Sequence, residues 1–511
     1  MRTKATLAIP VIVLGAAILW RSPVALSAQD SPAAISGVVS SKEEGPMEGV
    51  VVTARRSGAN FTVSVVSDAR GRFNLPRTHL EPGTYTLTMK ATGYDLAGLD
   101  PVTVAARKTT TRDLALVKTK DPSRQLASRD WALSMPGTDE QKRKTVMVGL
   151  SCTYCHSLER ILKSTHNAEQ FVPVITRMAR YFEDGSALPT GTSRARAMLK
   201  EKERLAAAEK SPNWFGDVTK AELASYLATV NLNGRTESPF PLKTLPRPSG
   251  IATRVIVTTW EIPRKDAVAH DADVDSKGRI WYNEENSWVV GVLNPQTNTF
   301  TEYPLEPAER DPGIAGSRDI MVDKQDNVWL PLRKGSGAVL HKFDPTTKTL
   351  TKVEGTEGAG AFGDVSPDGA HVWLGFVRVD VKTAKVDGDF RKPANIQPGR
   401  QAGGYGFAVN TKGNPYGTDF MGSRILGVDV RTNEITYWPT RQQDAYPRRG
   451  RIDAQDRFWL GIYGGDAIGM LDTKTGDLKE WKMPTPFTTP YTATVPDRNG
   501  YVYSSSNTSE R

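Results

Sequence analysis

The C-terminal half of the chain repeats itself at a nearly constant interval. A turn, a short apolar run and an aromatic residue recur at separations of 48, 44, 43, 43 and 44 residues. The recurring aromatics are Trp281, Trp329, Trp373, Tyr416, Trp459 and Tyr503. A period near 44 residues with several short strands per unit predicts a β-propeller over residues 250–511, with about six repeats visible.

A second element recurs in each unit as an Asx-containing turn between strands. It occurs at residues 294–297, 344–347, 380–383, 429–432 and 472–475. The segment Arg254–Pro263 is predicted to be an outer strand that closes the ring from its N-terminal side. Because the sequence stops at Arg511 inside the sixth unit, we expect either that it is a fragment or that the last blade is incomplete.

The whole cassette resembles the virginiamycin B lyase-like (streptogramin lyase) propeller family from about residue 254 onward. It reads Asp/Lys-Gly-x-hydrophobic-Trp, then Leu-Asp-x-x-Thr, then Glu-Tyr or Glu-Trp-x-x-Pro. The resemblance implies carbon–oxygen lyase activity, which in that family uses histidines and a Glu-x-His pair. No Glu-x-His pair occurs in this chain, so the chain does not support antibiotic cleavage.

One position in each unit is expected to face the central channel. Eleven residues before each repeated aromatic, near the start of an innermost strand, stand His270, Arg318, Phe362, Tyr405, Arg448 and Thr492. His270, Arg318 and Arg448 form a possible anion site, with Tyr405 as a stacking surface for an unknown small molecule. The alternative is a solvated rim without a ligand.

Residues 33–118 show short alternating runs separated by turn residues, which predicts a small all-β domain. The segment resembles the carboxypeptidase regulatory-like domain, a transthyretin-like β-sandwich, through Gly37–Val39, Asp68–Phe73, Pro82–Tyr85 and Ala91–Tyr94. The resemblance implies a spacer or docking module without chemistry of its own.

The run Cys152-Thr153-Tyr154-Cys155-His156 has the Cys-x-x-Cys-His spacing of covalent haem attachment. Two thiols on one turn reach the two porphyrin vinyl groups, and His156 becomes the proximal iron ligand. Because these are the only two cysteines, a disulfide framework and a Cys₄ zinc site are excluded. The alternatives are a thioredoxin-like redox pair and a chance match.

Residues 119–240 are rich in helix-forming residues, with capping patterns at Asn167–Gln170 and Thr219–Glu222. Together with the haem motif, they resemble a small all-α class I c-type cytochrome domain. We predict one haem c per chain, with Met178 as the sixth iron ligand because it lies on an apolar helix face 22 residues after His156. His166, Met147, Met198 and an open sixth site remain alternatives, as does a core-filling role for Met178.

A basic start, an apolar stretch and small residues before position 28 predict a signal peptide over residues 1–28. The protein is then periplasmic or secreted from a bacterium, with no transmembrane span after signal removal, although an uncleaved anchor remains an alternative. Removing Arg2, Lys4 and Arg21 lowers the net charge from +9 to +6. This charge favours an acidic redox partner protein, and nothing in the pattern indicates nucleic-acid binding.

The sequence therefore predicts a multidomain, mainly β protein in which the haem transfers electrons and the propeller binds a substrate or partner that donates them. Two alternatives stay open. One is a virginiamycin B lyase-like carbon–oxygen lyase, and the other is a non-catalytic module that binds carbohydrate, another ligand or protein.

Overall fold

The computed structural model describes most of the chain outside its N-terminus and part of the helical segment. The described residues are 32–98, 100–147, 152–153, 157–183, 213–215, 218–235, 237–308, 310, 315–334, 337–396, 403–420, 422–506 and 508. The predicted signal peptide, Cys155, His156 and Met198 lie outside the described residues.

The first domain is a β-sandwich, as predicted. Its strands are β1 Ala33–Ser41, β2 Gly45–Pro46, β3 Val51–Arg56, β4 Phe61–Val66, β5 Arg72–Pro76, β6 Gly83–Lys90, β7 Tyr94–Leu96, β8 Val102–Val104, β9 Thr110–Thr111 and β10 Leu114–Lys118. One sheet has the order β2-β1-β10-β7, with β5 and β9 also paired with β1, and the other contains β4-β3-β6-β8. In β6, Tyr85 and Leu87 point inward while their neighbours are exposed, which gives the period of two that a sheet with one buried face requires.

The second segment is helical around one apolar core. Its helices are α1 Ser128–Ser134, α2 Asp139–Lys142, α3 Glu159–Leu162, α4 Ala168–Glu183 and α5 Lys220–Val230, with short 3₁₀ and π turns at Pro122–Gln125 and Arg143–Met147 and a two-stranded pair, β11 Asn213–Phe215 and β12 Val218–Thr219. Both predicted caps form: Asn167 and Gln170 exchange hydrogen bonds, and Thr219 and Glu222 make a capping box. No helix in the described residues is long and apolar enough to cross a membrane.

Residues 237–249 contain no helix or strand, consistent with the Pro-rich linker. A 3₁₀ turn at Gly250–Arg254 precedes β13, Ile256–Trp260. The sequence predicts that this strand closes the propeller, but in the structure it pairs with β4 at the edge of the sandwich sheet. That prediction was wrong. An extended segment with alternating apolar residues can pair with any free sheet edge, and the sequence pattern does not specify which edge it joins.

The third segment is propeller-like. Among the described residues it contains five four-stranded antiparallel sheets and a two-stranded sixth unit. The strands, in groups by blade, are β14 Ala269–Val274, β15 Ile280–Glu284, β16 Val289–Asn294 and β17 Thr299–Pro304; β18 Met321–Val322, β19 Val328–Lys334, β20 Gly337–Asp344 and β21 Thr349–Lys352; β22 Gly363–Val365, β23 His371–Leu374, β24 Val377–Asp380 and β25 Lys385–Asp389; β26 Phe407–Val409, β27 Pro415–Asp419, β28 Arg424–Asp429 and β29 Glu434–Pro439; β30 Pro447–Ile452, β31 Arg457–Ile462, β32 Ala467–Asp472 and β33 Leu478–Lys482; β34 Pro490–Ala493 and β35 Ser504–Ser506.

Neighbouring blades are joined at their innermost strands. Carboxylates accept hydrogen bonds from the backbone of the next blade, as Asp273 does from Val322 (2.8 Å) and Asp364 does from Val409 (3.2 Å). The sixth unit joins blade 5 through the parallel pairing of β34 with β30. The first strand of each unit is therefore the one next to the centre of the ring.

The repeated aromatics form the contacts between blades. In blade 1, Trp281 and Tyr303 stack with ring centroids 5.8 Å apart, and Phe343 of blade 2 packs on both rings. The indoles of blades 1, 2 and 5 each donate Nε1–H to an aspartate six residues earlier: Asp275, Asp323 and Asp453. The indole is fully buried in blades 1 and 2 and partly buried in blade 5. The 44-residue period is thus the spacing of one packing unit.

Candidate functional site

Cys152, the first residue of the Cys-x-x-Cys-His motif, lies at the edge of the helical core. The Cys152 side chain is partly buried and packs against the core cluster formed by α1 and α3 to α5. Burial raises the pKa of its thiol to about 12, so the sulfur is uncharged. Ser128 of α1 accepts a hydrogen bond from the backbone of Leu158 at 3.0 Å, which ties α1 to the chain just after the motif.

Met178 is partly buried on α4, one and two turns after the buried core residues Ile175 and Phe171. His166 packs edge-on against Phe171, with ring centroids 5.4 Å apart. Within the described residues, which omit Cys155 and His156, no group of three or more His, Cys, Asp or Glu side chains has the geometry of a metal site. The predicted iron ligation therefore stays a prediction.

Two donors on α1 are buried and lack a hydrogen-bond partner among the described residues. They are Nε of Arg129 and Nε1 of Trp131, whose side chain is fully buried. A buried N–H group normally finds an acceptor. The carboxylate side groups of a haem are acceptors of the required kind, so this donor set fits the predicted group.

The ring positions predicted in the propeller do lie near the starts of the innermost strands. His270 and Arg448 are each the second residue of their strand, and Arg318, Phe362 and Tyr405 stand one to three residues before theirs. The structure brings three of them into contact, since the Tyr405 ring contacts both Phe362 and Arg448. His270 pairs with Asp271 and Arg318 pairs with Glu285. Ligand binding at these positions remains a prediction.

Arg448 lies at the centre of an aromatic cluster. Its guanidinium carbon is 4.3 to 5.1 Å from the ring centroids of Tyr405, Phe420, Tyr463 and Tyr491. The side chain is only 1% exposed, and the Tyr405 and Tyr491 hydroxyls are 2.5 Å apart. Arg448 therefore binds rings inside the molecule, at distances where cation–π attraction is strong in a desolvated site.

Arg449, one residue later, connects opposite parts of the ring. Its guanidinium pairs with Asp271 of blade 1 at 2.5 Å and with Asp319, just before β18, at 3.3 Å, and it lies 4.5 Å from the Phe362 ring. Sequence analysis missed this residue. A signal was present in the sequence: the residue after each ring position is Asp271 in blade 1, Asp319 in blade 2 and Arg449 in blade 5. These residues have opposite charges at equivalent positions of the repeat.

The charges of this cluster are mutually dependent. Burial raises the pKa of Asp319 to about 6, despite the opposing effect of Arg449. Burial also opposes ionisation of Asp271 and Arg449, but hydrogen bonding from His270 and the contact with Arg449 hold the pKa of Asp271 low, and the two carboxylates raise that of Arg449. His270 contacts Asp271 through Nδ1 at 3.0 Å.

Arg318 is also paired. Its Nε lies 2.9 Å from Oε1 of Glu285, with both side chains partly buried. Each arginine of the predicted anion site therefore already contacts either a carboxylate or aromatic rings. An anion would have to compete with these internal partners.

The helical segment contacts the same end of the propeller. In an antiparallel blade, the start of the first strand and the loop between the second and third strands lie at one end, which places Tyr463 and Asp466 beside Arg448. Asp466 pairs with Arg143 from the turn after α2 and accepts backbone hydrogen bonds from Phe487 (2.7 Å) and Thr489 (2.9 Å).

Phe487 belongs to the helical core although it precedes β34. It is fully buried in that cluster, and the Arg143 guanidinium lies 4.9 Å from its ring. Asp466, Phe487 and Thr489 all have left-handed backbone conformations, with φ of 46°, 55° and 44°. Such conformations cost energy in non-glycine residues and persist where surrounding contacts hold them. The contact between the helical segment and the propeller is therefore held in one specific conformation.

The comparisons with known proteins agree with the two β domains. The family model of the carboxypeptidase regulatory-like domain matches residues 34–117, which confirms the predicted sandwich. A search of curated proteins gave no match.

Several solved structures are similar to this chain at low identity. A streptogramin B lyase structure is 21% identical, with a TM-score of 0.42 and coverage of 50% of this chain and 81% of that one. Virginiamycin B lyase from Staphylococcus aureus is 17% identical, with a TM-score of 0.41 and coverage of 50% and 82%. Hydrazine synthase from Kuenenia stuttgartiensis is 10% identical, with a TM-score of 0.35 and coverage of 47% and 74%. These similarities concern the fold and carry no statement about activity.

Proposed function

We propose that this protein is an exported c-type haem protein whose propeller binds an electron donor and whose helical segment receives the electron. The observation that carries the proposal is the contact made by Arg143 and Phe487, which attaches the motif-bearing segment to the propeller end where the ring residues converge. A separate binding module would not need this connection.

A haem held by Cys152, Cys155 and His156 would supply reversible one-electron iron chemistry. The protein's own residues would exclude water from the haem and hold it in a fixed orientation. The Cys152 side chain packs against the apolar core, and Arg129 and Trp131 offer buried N–H donors to carboxylates. Met178 would be a further ligand of the iron. A redox partner protein with an acidic face would accept the electron in the periplasm.

The direct test is covalent haem. The full chain, exported together with haem-maturation machinery, should keep its haem after acid–acetone extraction and give a haemochrome spectrum. Replacing both Cys152 and Cys155 with alanine should release the haem. A colourless protein with two free thiols would contradict the proposal.

Coupling between propeller and haem has its own test. In a panel of uncharged reductants, a donor bound at the ring should reduce the iron, and Asp466→Asn should slow that reduction at least tenfold because it weakens the contact with Arg143. Asp387→Asn is the matched control, since Asp387 pairs with Arg378 at the rim of blade 3, on the surface. Equal slowing in both variants would show that reduction of the iron does not depend on the contact between the helical segment and the propeller.

The lyase alternative makes the opposite prediction. A lyase would cleave a cyclic ester without any change in the haem spectrum and without His156. Redox-silent cleavage of such an ester would replace electron transfer as the function, whereas binding without cleavage or reduction would favour the non-catalytic module.

A further inference from the structure

Four aromatic side chains form a continuous surface at the ring end of the propeller. Tyr405 is at the centre, with ring centroids 5.2 Å from Phe362, 5.6 Å from Phe420 and 6.3 Å from Tyr491. The four side chains come from blades 3 and 4 and from the sixth unit, and all retain partial exposure. The surface therefore offers several ring faces to one bound molecule.

Two buried guanidinium groups lie behind these rings. Arg448 is within 5.1 Å of the centroids of Tyr405, Phe420 and Tyr491, and Arg449 is 4.5 Å from that of Phe362. Because Arg448 and Arg449 are 1% and 9% exposed and the rings are more accessible, each cation lies on the inner side of the surface. A cation on one ring face withdraws π density, so the outer face favours an electron-rich ring over a second cation.

The polar groups around the surface favour a neutral ligand with hydroxyl groups. Arg449 is paired with Asp271 and Asp319, and Arg318 is paired with Glu285. Because these arginines are already neutralised by carboxylates, an anion would be attracted to them only weakly or would have to displace the carboxylates. Asp271, which is partly exposed and pairs with Arg449, and the Tyr405 and Tyr491 hydroxyls can accept hydrogen bonds from hydroxyl groups of a ligand.

We propose that this surface, defined by Phe362, Tyr405, Phe420 and Tyr491, binds an uncharged phenolic ring. The inference rests on the proposed function, because it names the chemical class of the electron donor. It differs from the anionic ligand that the sequence predicts from the three basic residues His270, Arg318 and Arg448.

Binding of three probes to the full chain tests the proposal without any redox step. The probes are catechol, its saturated analogue cyclohexane-1,2-diol, and benzoate, titrated anaerobically with the protein kept reduced and followed by saturation-transfer NMR. Catechol should bind at least tenfold more tightly than the other two. Tighter binding of benzoate, equal binding of the saturated diol, or no binding of catechol would overturn the proposal.

Variants locate the binding. Tyr405→Ala should weaken catechol binding about tenfold and Phe362→Leu, which keeps an apolar side chain of similar size, about two- to tenfold, the range expected for one aromatic pair. Tyr501→Ala, at an exposed tyrosine outside the surface, should have no effect. If Tyr405→Ala does not fold, Phe362→Leu decides the result, and an effect no larger than that of Tyr501→Ala would contradict the assignment. A separate titration of the oxidised full chain with catechol, followed by the haem spectrum, tests the proposed function. Catechol binding without iron reduction there would overturn the proposed function and leave this inference standing.

Discussion

Adjacent arginines have different roles in this protein. Arg448 is surrounded by rings, whereas Arg449 pairs with Asp271 and Asp319 on the far side of the ring. Counting eleven residues back from each repeated aromatic identifies Arg448, because equivalent backbone positions recur at that spacing in every blade. The count cannot tell which of two neighbouring side chains points across the channel, since successive residues of a strand face opposite sides.

The raised pKa of Asp319 predicts a pH-dependent stability. With a pKa of about 6 in the folded protein, against an ordinary value near 4, Asp319 holds a proton in the folded state between these values. Its contribution to stability is therefore present below about pH 4 and is lost as the pH rises through about 6. The loss should approach, at most, about 3 kcal/mol.

Asp319→Asn should remove this component of the pH dependence while retaining an oxygen acceptor for the backbone N–H of Gly363 or Ile320. The measurement is the free energy of unfolding by denaturant at several pH values between 4 and 7.5, compared with wild type. Parallel curves for the two proteins would show that the folded carboxyl titrates in its ordinary range.

Met178 gives a second prediction at the scale of one residue. If its sulfur is the sixth iron ligand, Met178→Ala should remove the weak near-red absorption of sulfur-ligated ferric haem and lower the reduction potential. Met147→Ala tests the alternative ligand among the described methionines and should leave the band in place if Met178 is the ligand. Retention of the band in Met178→Ala would exclude Met178 and make Met198 the next ligand to test.

At the scale of the element, the repeated turn before each aromatic is a small hydrogen-bonded unit. Asp275 accepts from the backbone of Lys277 and Arg279, from Nε of Arg279, and from the buried Trp281 indole at 3.0 Å. In blade 3 the Trp373 indole has no hydrogen-bond partner among the residues that the structure describes, since Ser366 occupies the place of the aspartate. The blade therefore forms even where serine replaces the aspartate of this turn.

Asp275→Ala should destabilise the protein by roughly 3 kcal/mol, because it leaves a buried indole N–H and two turn amides without an acceptor. The matched control is Asp344→Ala in an exposed turn, where the carboxylate caps the Thr346 and Thr347 amides, and a cost below about 1 kcal/mol is expected. Thermal unfolding of both variants measures the difference. Equal costs would mean that the indole bond contributes little.

At the scale of the whole molecule, the helical segment and the propeller share a core residue. Phe487 is contributed by the connection before β34 and is buried with Trp131, Leu158 and Leu227. A side chain from one element that fills the core of another makes their stabilities interdependent, because its removal leaves a cavity in the receiving core.

Phe487→Ala should therefore raise hydrogen exchange in α1 and α5 and cost about 3–5 kcal/mol. Phe343→Ala, a similar truncation between blades 1 and 2, should cost a comparable amount but leave exchange in those helices unchanged. Exchange measured by mass spectrometry after each substitution distinguishes the two. The same pattern in both variants would show that the helical segment does not depend on the propeller.

The sequence by itself determined the β-sandwich, the helical segment with its two caps, the linker and the propeller repeat. These features depend on local patterns: alternation, capping residues and a period set by one packing unit. Only the tertiary structure decided that Ile256–Trp260 joins the sandwich sheet, that Arg449 spans the ring and that Phe487 enters the helical core. Each depends on contacts between residues far apart in the chain, for which neither spacing nor composition carries a signal.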